Sequence, residues 1–177
     1  MVAEYAGISD IDDLVKMRLA YLREDRGRLD DAEAEAIQKS LPGYFRAHLD
    51  RDLFVYVVRV GQDIVSCAFL LIVEKPMSPS FINGRTGTVL NVYTCPPFRQ
   101  KGFAGKIIRK LLDDAKEKEL SVVELKSTDA GYPIYKAAGF NDDESKYHLM
   151  KWKNSFVNEK MGMRNEVFNA NSIEVRE

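Results

Sequence analysis

Residues 99–104 read Arg-Gln-Lys-Gly-Phe-Ala and combine cationic with small side chains at the predicted start of an amphipathic helix. A helix start leaves backbone N–H groups without partners, and the helix dipole favours anions at that end. Gly102 and Ala104 are small, so the phosphate groups of a ligand can approach the backbone closely. This segment therefore predicts a site for a phosphate-rich cofactor.

Four cationic residues crowd the early turns of the same helix: Lys101, Lys106, Arg109 and Lys110. A cation near a helix N-terminus opposes the dipole by roughly 0.3–1 kcal/mol. A bound polyanion would turn that cost into attraction. A solvated basic face on a surface helix explains the same residues, so the spacing alone leaves both interpretations open.

The elements on either side can position such a site. Residues 88–94 read as a buried strand, which Pro96 and Pro97 end because proline cannot donate to a sheet. The following residues are apolar at the i, i+3, i+4, i+7 spacing of one buried helix face. The apolar positions are Phe103, Ala104, Ile107, Ile108, Leu111, Leu112 and Ala115.

Two segments together resemble a known family. Residues 94–104 resemble motif A of the GNAT superfamily of N-acetyltransferases, Arg/Gln-x-x-Gly-x-Gly/Ala, with the preceding strand and a nearby proline. Downstream, residues 135–140 read Tyr-Lys-Ala-Ala-Gly-Phe and resemble motif B, Tyr-x-x-x-Gly-Phe. The resemblance extends over roughly residues 2–152, and the two motifs are far more specific together than either is alone.

The resemblance implies an α/β acetyltransferase fold, a mixed twisted sheet with helices on both faces and splayed central parallel strands. It implies an enzyme that moves an acetyl group from acetyl-CoA directly to a primary amine, whose identity the sequence does not specify. We expect one GNAT domain over residues 1–153. We interpret residues 154–177 as a solvated tail, a lid or a dimer arm, so a homodimer is one of the expected arrangements.

The family also implies which residues bind acetyl-CoA. The pantetheine arm is expected to pair with the backbone of Val92, Tyr93 and Thr94, where an N–H group can hold the thioester oxygen. Arg99 can add a charge-assisted bond, and the Thr128 hydroxyl stands where many members have asparagine. The pyrophosphate is expected on the backbone of Gln100, Lys101, Gly102, Phe103, Ala104 and Gly105.

Tyr135 matches the family tyrosine that acts as general acid. Its phenol, with an ordinary pKa of about 10, stays protonated at neutral pH and can re-protonate a thiolate whose conjugate acid has a pKa near about 8.5. A packed core tyrosine is the alternative interpretation of Tyr135. Tyr132 and Tyr93 compete for the same role at short range.

The general base is the main departure from the family pattern. Many members carry a glutamate on the motif A strand, whereas this strand has Asn91 and no acid. The candidates are Glu24, Glu74, Asp129 or an ordered water. The missing acid keeps a second function open, a non-catalytic acyl-CoA-binding or sensing module. A protein-interaction module that uses the basic helix is a third, which failure to bind coenzyme A would favour.

Composition excludes several other classes. The 177 residues carry a net charge of −1, so no global field favours nucleic acid or a membrane surface. The basic helix lacks the interleaved exposed aromatic residues of a nucleic-acid site. No apolar run approaches the roughly 20 residues that span a bilayer, and we identify no signal peptide.

Cysteine and histidine usage points the same way. Two cysteines form no disulfide framework, which favours a reducing cytoplasm. The two histidines show no spacing for a metal site, so we expect no metal. Cys95 lies beside the cofactor loop, but direct transfer needs no acyl-enzyme, and an ordinary thiol is the favoured interpretation.

An acidic segment, residues 24–35, holds six acids against Arg26 and Arg28. In the family, the first two helices and the loop after the third strand line the acceptor site, so these acids can attract a cationic amine. A solvated helix and its connection is the simpler interpretation.

The remaining pattern predicts the other elements. Ser9 and Asp12 resemble a capping box before a helix with Ile11, Leu14, Val15, Arg18, Leu19 and Leu22 on one face. Strands are expected at 2–7, 53–60, 64–73, 121–127 and 147–152, with a hairpin turn at 61–63 and a loop at 74–87. Further helices are expected at 31–49, interrupted near Pro42 and Gly43, and at 131–138, ending at Gly139.

Overall fold

A computed structural model describes residues 1–148 and 150–154. Within them the chain forms five strands and four α-helices, and short 3₁₀ turns at Ile8–Asp10 and Pro96–Phe98 precede the first and third helices. The strands are β1 (Glu4–Tyr5), β2 (Leu53–Val60), β3 (Asp63–Glu74), β4 (Arg85–Thr94) and β5 (Val122–Glu124). The helices are α1 (Ile11–Asp25), α2 (Asp31–His48), α3 (Phe103–Glu117) and α4 (Tyr132–Ala138).

The strands form one open mixed sheet in the order β1-β2-β3-β4-β5. The first four strands pair antiparallel, and β5 runs parallel to β4. A parallel neighbour requires a crossover, which α3 supplies between β4 and β5. The predicted mixed α/β fold is therefore confirmed.

Helices cover both faces of this sheet. Successive side chains of a strand point to opposite faces, so the almost continuous apolar run of β2 contributes to two cores. The core beneath α1 and α2 contains Leu14, Phe45, Val55, Val57 and Phe69. The core beneath α3 and α4 contains Val58, Leu70, Ile107, Ile108 and Leu111. Full burial of such side chains contributes roughly 1.5–3 kcal/mol each, so the two cores hold the helices firmly to the sheet.

The start of β4 differs from the predicted loop, which extended to Gly87. The strand begins at Arg85, and Thr86 is buried with its hydroxyl donating to the Val73 carbonyl at 3.3 Å. A Cβ atom at Gly87 would lie 2.7 Å from the Leu70 side chain and 2.9 Å from that of Leu120. Gly87 therefore permits close packing inside a strand rather than forming a turn.

The second helix is continuous, so the predicted interruption at Pro42 and Gly43 is wrong. Pro42 lies inside α2 and removes one backbone donor. Phe45, only 1% exposed, anchors the last turn beyond it, while Ile37 and Leu41 pack against the same core. Packing on both sides of the proline holds the helix together. Asp30 caps its start by accepting from the Glu33 N–H at 2.8 Å.

Three smaller predictions also need correction. The capping box expected for Ser9 and Asp12 is replaced by Asp10, whose carboxylate accepts from the Gly7 N–H at 2.8 Å. The strand expected at 121–127 shortens to β5, because its pairing with β4 ends at Glu124. Among the described residues of 147–152 no strand forms; Leu149 lies outside the described residues.

Candidate functional site

A bulge in β4 opens the sheet beside the predicted cofactor site. Two residues, Asn91 and Val92, lie opposite the single residue Ala68, between the pairs Leu90–Phe69 and Tyr93–Cys67. Asn91 has a φ of 51°, a left-handed conformation that asparagine tolerates better than most residues. Bulges of this kind bend a strand and redirect its side chains.

The separation of β4 from β5 leaves a cleft. Their parallel pairing extends only from Thr86 to Thr88 on β4, although β4 runs on to Thr94. Among the described residues, no strand pairs with the remainder of that edge. The backbone of Val92, Tyr93 and Thr94 lies in this unpaired stretch, as the predicted pantetheine site requires. The Thr94 carbonyl is itself occupied, because it accepts from Arg99 Nε at 2.9 Å.

The start of α3 is open in the way expected of an anion site. Gln100 and Gly102 adopt left-handed φ values of 60° and 74°. Gly102 is the N-cap and provides no side-chain acceptor, and the first turn contains no acid. The N–H groups of Phe103, Ala104 and Gly105 therefore have no side-chain partner in the described part of the chain. Phe103 itself is buried, so its backbone and not its ring faces a ligand.

The cations around this helix start have different partners. Lys106 Nζ donates to the Met1 carbonyl at 3.1 Å, and Lys110 pairs with Asp114 at 3.3 Å. Lys101 Nζ lies 5.1 Å above the centre of the Phe98 ring. Among the described residues, Lys101, Lys106 and Arg109 therefore have no carboxylate within ion-pair distance, unlike Arg99 and Lys110.

Arg99 takes a position that the sequence did not predict. Its Nη2 donates to Glu24 Oε2 at 2.5 Å, and its guanidinium lies 5.7 Å from the centre of the Tyr93 ring. The Glu24 carboxylate raises the pKa of Arg99. The arginine therefore ties the loop before α3 to the end of α1, and its proposed contact with a phosphate remains a prediction.

Tyr135 lies on α4 with its phenol unpaired. The residue is 8% exposed and packs its ring edge-on against Phe140, with ring centres 5.9 Å apart. No described residue forms a hydrogen bond with its hydroxyl group. Burial raises the pKa of Tyr135 above its ordinary value, and the nearby Tyr21 phenol raises it further. The competitor Tyr132 donates instead to Asp142 at 2.8 Å.

Tyr21 lies beside the unpaired part of β4. It belongs to α1, whereas Tyr135 belongs to α4 on the other face of the sheet. Tyr21 meets Tyr93 of β4 edge-on, with ring centres 6.5 Å apart. Its phenol is the lesser cause, after burial, of the raised pKa of Tyr135.

Arg18 and Tyr21 are site residues that the sequence analysis did not identify. Arg18 Nη1 donates to Asn91 Oδ1 at 3.0 Å, and its guanidinium lies 5.5 Å from the centre of the Tyr21 ring. The sequence pattern contained a sign of such a role for Arg18, because this charged residue occupies the apolar face of α1 between Leu14 and Leu22. A charged residue on such a face needs a polar partner, which the fold supplies from the β4 bulge.

Thr128 occupies the turn before α4. Its hydroxyl oxygen accepts from the Gly131 N–H at 3.3 Å, while its carbonyl accepts from the N–H groups of Gly131 and Tyr132 at 3.0 Å each. The hydroxyl proton remains free to donate to a ligand. Its contact with the cofactor stays a prediction.

The three carboxylates proposed as general base differ in their partners and in their places in the fold. Glu24 is paired with Arg99, and Asp129 is exposed on the turn before α4. Glu74 pairs in register with Arg85 at the opposite end of β4 from Thr94. Nine steps of about 3.3 Å each lead along β4 from Arg85 to Thr94, so Glu74 is remote from the cleft. It lines instead a cavity of about 400 Å³ with Arg51, Arg85 and other residues.

The two cysteines are poorly suited to nucleophilic attack. Cys67 is fully buried, and burial raises its pKa to about 12. Burial also raises the pKa of Cys95, whose sulfur lies 3.7 Å from that of Met17. A raised pKa disfavours the reactive thiolate, which agrees with the interpretation of Cys95 as an ordinary thiol.

The described part of the chain contains neither a cluster of metal-binding side chains nor a helix that could span a membrane. Across residues 1–148 and 150–154, no three side chains of the metal-binding types converge on one point. None of the helices found there is both long and apolar enough to cross a bilayer.

Gly131 gives a testable link between packing and the position of Tyr135. A Cβ atom at residue 131 would lie 2.9 Å from Cε2 of Tyr135. We expect Gly131→Ala to displace the ring and to lower kcat roughly 10-fold, since small misplacements of a reacting group are costly, with little change in the affinity for acetyl-CoA. Steady-state kinetics and calorimetry measure the two quantities. The exposed neighbour Ala130, changed to Ser, is the control; equal kcat in both variants would contradict the prediction.

Known proteins resemble this chain in both sequence and fold. A family model described as the acetyltransferase (GNAT) family matches residues 12–140. A predicted acetyltransferase from Clostridium acetobutylicum, solved with acetyl-CoA, is 28% identical with a TM-score of 0.72, and the match covers 84% of this chain and 94% of that one. A GCN5-related N-acetyltransferase from Ralstonia eutropha JMP134 is 23% identical with a TM-score of 0.70, covering 84% and 97%.

A more distant structure shares the fold. Glucosamine-6-phosphate N-acetyltransferase from Arabidopsis thaliana is 18% identical with a TM-score of 0.58, covering 86% of this chain and 97% of its own. Comparison with curated proteins gives no match.

The matched region contains both sequence motifs, the bulged strand β4 and the cleft between β4 and β5. The family predicted from the motifs is thus confirmed by a model that spans most of the sequence and by solved structures with the same fold. The chain belongs to the GNAT acetyltransferase family.

Proposed function

We propose that this protein transfers an acetyl group from acetyl-CoA directly to a primary amine. The observation that carries the proposal is the buried Tyr135 phenol, which forms no hydrogen bond with any described residue, in a fold whose strands β4 and β5 separate beyond Thr88. A buried phenol without a partner is positioned to donate to a ligand. The neighbour solved with acetyl-CoA supports the identity of the donor.

The helix start fits the phosphates of that donor. A Cβ atom at Gly102 would meet nothing within 4 Å, and one at Gly105 would meet only the Arg109 guanidinium, at 3.5 Å. The space above the first-turn N–H groups is therefore open. We assign the pyrophosphate to the backbone of residues 100–105, with Lys101 nearby. We assign the pantetheine arm to Val92, Tyr93, Thr94 and Thr128.

Acetyl-CoA, when bound, supplies an acyl group activated as a thioester. The chain contributes two groups to the reaction. A backbone N–H of Val92, Tyr93 or Thr94 stabilises negative charge on the thioester oxygen. Tyr135 gives its proton to the departing sulfur, and its raised pKa keeps the phenol protonated through the physiological range. Solvent accepts the proton that the amine loses and returns a proton to the Tyr135 phenolate, because no described carboxylate is assigned to that task.

A second candidate function follows from the absence of a described carboxylate assigned as general base. Glu24 is bound to Arg99, and Glu74 lies at the far end of β4. A domain that binds acyl-CoA without transferring the acyl group would need no base. This arrangement favours a sensing or binding module as the alternative to an enzyme.

Release of free thiol from acetyl-CoA separates the two candidates. The purified chain is incubated with acetyl-CoA and a panel of amino acids, aminophosphates, polyamines and aminoglycosides. We expect amine-dependent thiol release together with an acetylated product identified by mass spectrometry. Acetyl-CoA binding measured by calorimetry, without release by any amine, would favour the binding module. Absence of both would contradict both candidates.

Location and assembly are further proposals. The free thiols Cys67 and Cys95 favour a reducing compartment, so we propose the cytoplasm. The domain boundary at residue 153 and a dimer arm or lid in 154–177 remain predictions, since residues 155–177 lie outside the described residues. Light scattering of the full chain and of a chain ending at residue 153 measures whether the extension controls assembly.

A further inference from the structure

Arg18 is partly buried and differs from Arg59 and from the exposed Arg99, which both form ion pairs. Arg59 is bound to Glu4 at 2.6 Å and Asp10 at 2.8 Å, and Arg99 is bound to Glu24. Among the described residues, no carboxylate lies within ion-pair distance of Arg18. Asp25 acts on it electrostatically from further away.

The described contacts of Arg18 are with uncharged polar and aromatic groups. Its hydrogen bond goes to Asn91 Oδ1 at 3.0 Å, and its guanidinium lies beside the Tyr21 ring. Burial raises the pKa values of the Tyr44 phenol on α2 and of the Cys67 thiol, and the Arg18 charge partly offsets both shifts. A guanidinium carries several N–H donors in a flat fork. One contact with Asn91 leaves most of them unused.

Burying this charge without an anion is unfavourable. Burial lowers the pKa of Arg18 from its ordinary value, but arginine keeps its proton in proteins. The cost of removing a charge from water is repaid when an anion with matching geometry binds to it. Carboxylate and phosphate groups both offer two oxygens to the fork.

The position of Arg18 connects it to the proposed reaction. Its partner Asn91 is in the β4 bulge, next to Val92. Its neighbour Tyr21 contacts the ring of Tyr93, one of the residues assigned to the pantetheine arm. Arg18 therefore lies on the α1 side of the cleft, whereas the donor is assigned to α3 and the edge of β4. That is the side left for the amine.

We propose that Arg18 binds an anionic group, carboxylate or phosphate, of the amine acceptor. This inference rests on the proposed acetyl transfer. It assigns a different recognition element from the acidic segment at 24–35, where Glu24 is used by Arg99 and Asp30 caps α2. The acceptor is then an amine with a negative group, rather than a polycation.

Matched substrate pairs test the proposal. An amino acid is compared with its amide, and an aminoalkyl phosphate with the corresponding amino alcohol, so each pair differs in the anion alone. We expect the wild type to prefer at least one anionic member by roughly 10- to 100-fold in kcat/KM, the range given by losing a hydrogen bond to a charged group. The pair that shows the preference distinguishes carboxylate from phosphate.

Variants assign the preference to the residue. Arg18→Gln is expected to abolish the preference for the anionic amine, mainly by raising its KM. Arg18→Lys keeps the charge without the fork and is expected to retain part of it. Arg23→Gln changes an exposed arginine on the same helix and serves as control. Thermal melts establish that each variant folds.

Binding of the acetylated products, acid against amide, gives a readout independent of turnover. A wild type without preference in either assay, or an Arg18→Gln variant that keeps the preference, would overturn the proposal. Equal losses for charged and neutral amines would make Arg18 a structural support of the bulge instead. Amine-dependent turnover without an anion preference would leave acetyl transfer intact and remove this inference alone.

Discussion

Gly105→Glu is expected to lower the affinity for acetyl-CoA by more than about 100-fold while the protein becomes no less stable. Gly105 lies in the first turn of α3, where a Cβ atom would meet only the Arg109 guanidinium at ordinary contact distance. A Cβ in a helix tilts toward the N-terminus, so the new carboxylate would lean over the N–H groups assigned to the pyrophosphate. Losing two hydrogen bonds to a charged group costs about 3–6 kcal/mol.

The stability of the Gly105→Glu variant should rise, whereas its affinity for acetyl-CoA falls. Glutamate is a better helix former than glycine, and an acid in the first turn complements the helix dipole. Gly105→Ala, which adds one methyl group, and Gly105→Gln, which adds bulk without charge, separate the causes. Calorimetry with acetyl-CoA measures affinity, and thermal melts measure stability. If Gly105→Glu bound acetyl-CoA as tightly as Gly105→Ala, the phosphates would lie elsewhere.

Tyr135→Phe is expected to lower kcat by about 10²–10⁴-fold, the usual contribution of general acid catalysis. Affinity for acetyl-CoA should hardly change, because proton donation acts in the transition state and not in the bound ground state. Stability should also hardly change, since no described residue bonds to the hydroxyl group that is removed. A loss confined to kcat would therefore assign the phenol to the chemistry.

Tyr132→Phe is the matched control on the same helix. Its phenol is exposed and bound to Asp142, so we expect turnover close to that of the wild type. Single-turnover experiments establish whether chemistry limits the rate in each variant. Wild-type turnover by Tyr135→Phe under conditions where chemistry is limiting would exclude Tyr135, and a large loss with Tyr132→Phe would transfer the role to that residue.

Local patterns were sufficient for the elements that carry the motifs. The apolar spacing of residues 103–115 predicted α3, because one helix face is buried against one sheet face. The turn signal at residues 61–63 predicted the hairpin of β2 and β3. The two motifs identified the family. Each of these features depends on residues close together in the chain.

Predictions failed where packing overrode a local signal. Gly87 reads as a turn residue but fits a strand because two leucine side chains fill the space above it. Pro42 reads as a helix break, but Phe45 holds the following turn in the core. Composition describes one residue at a time, whereas burial depends on its neighbours in space.

The sequence by itself determined the family, the candidacy of the α3 start as a phosphate site and the candidacy of Tyr135, because each is encoded in a short run of residues. The tertiary structure decided what surrounds the reaction: the bulge at Asn91, the contact with Arg18 and the pairing of Arg99 with Glu24. Those last two contacts join residues 73 and 75 positions apart. A side chain's partner across such a separation is set by how α1 packs on β4, which no local pattern encodes.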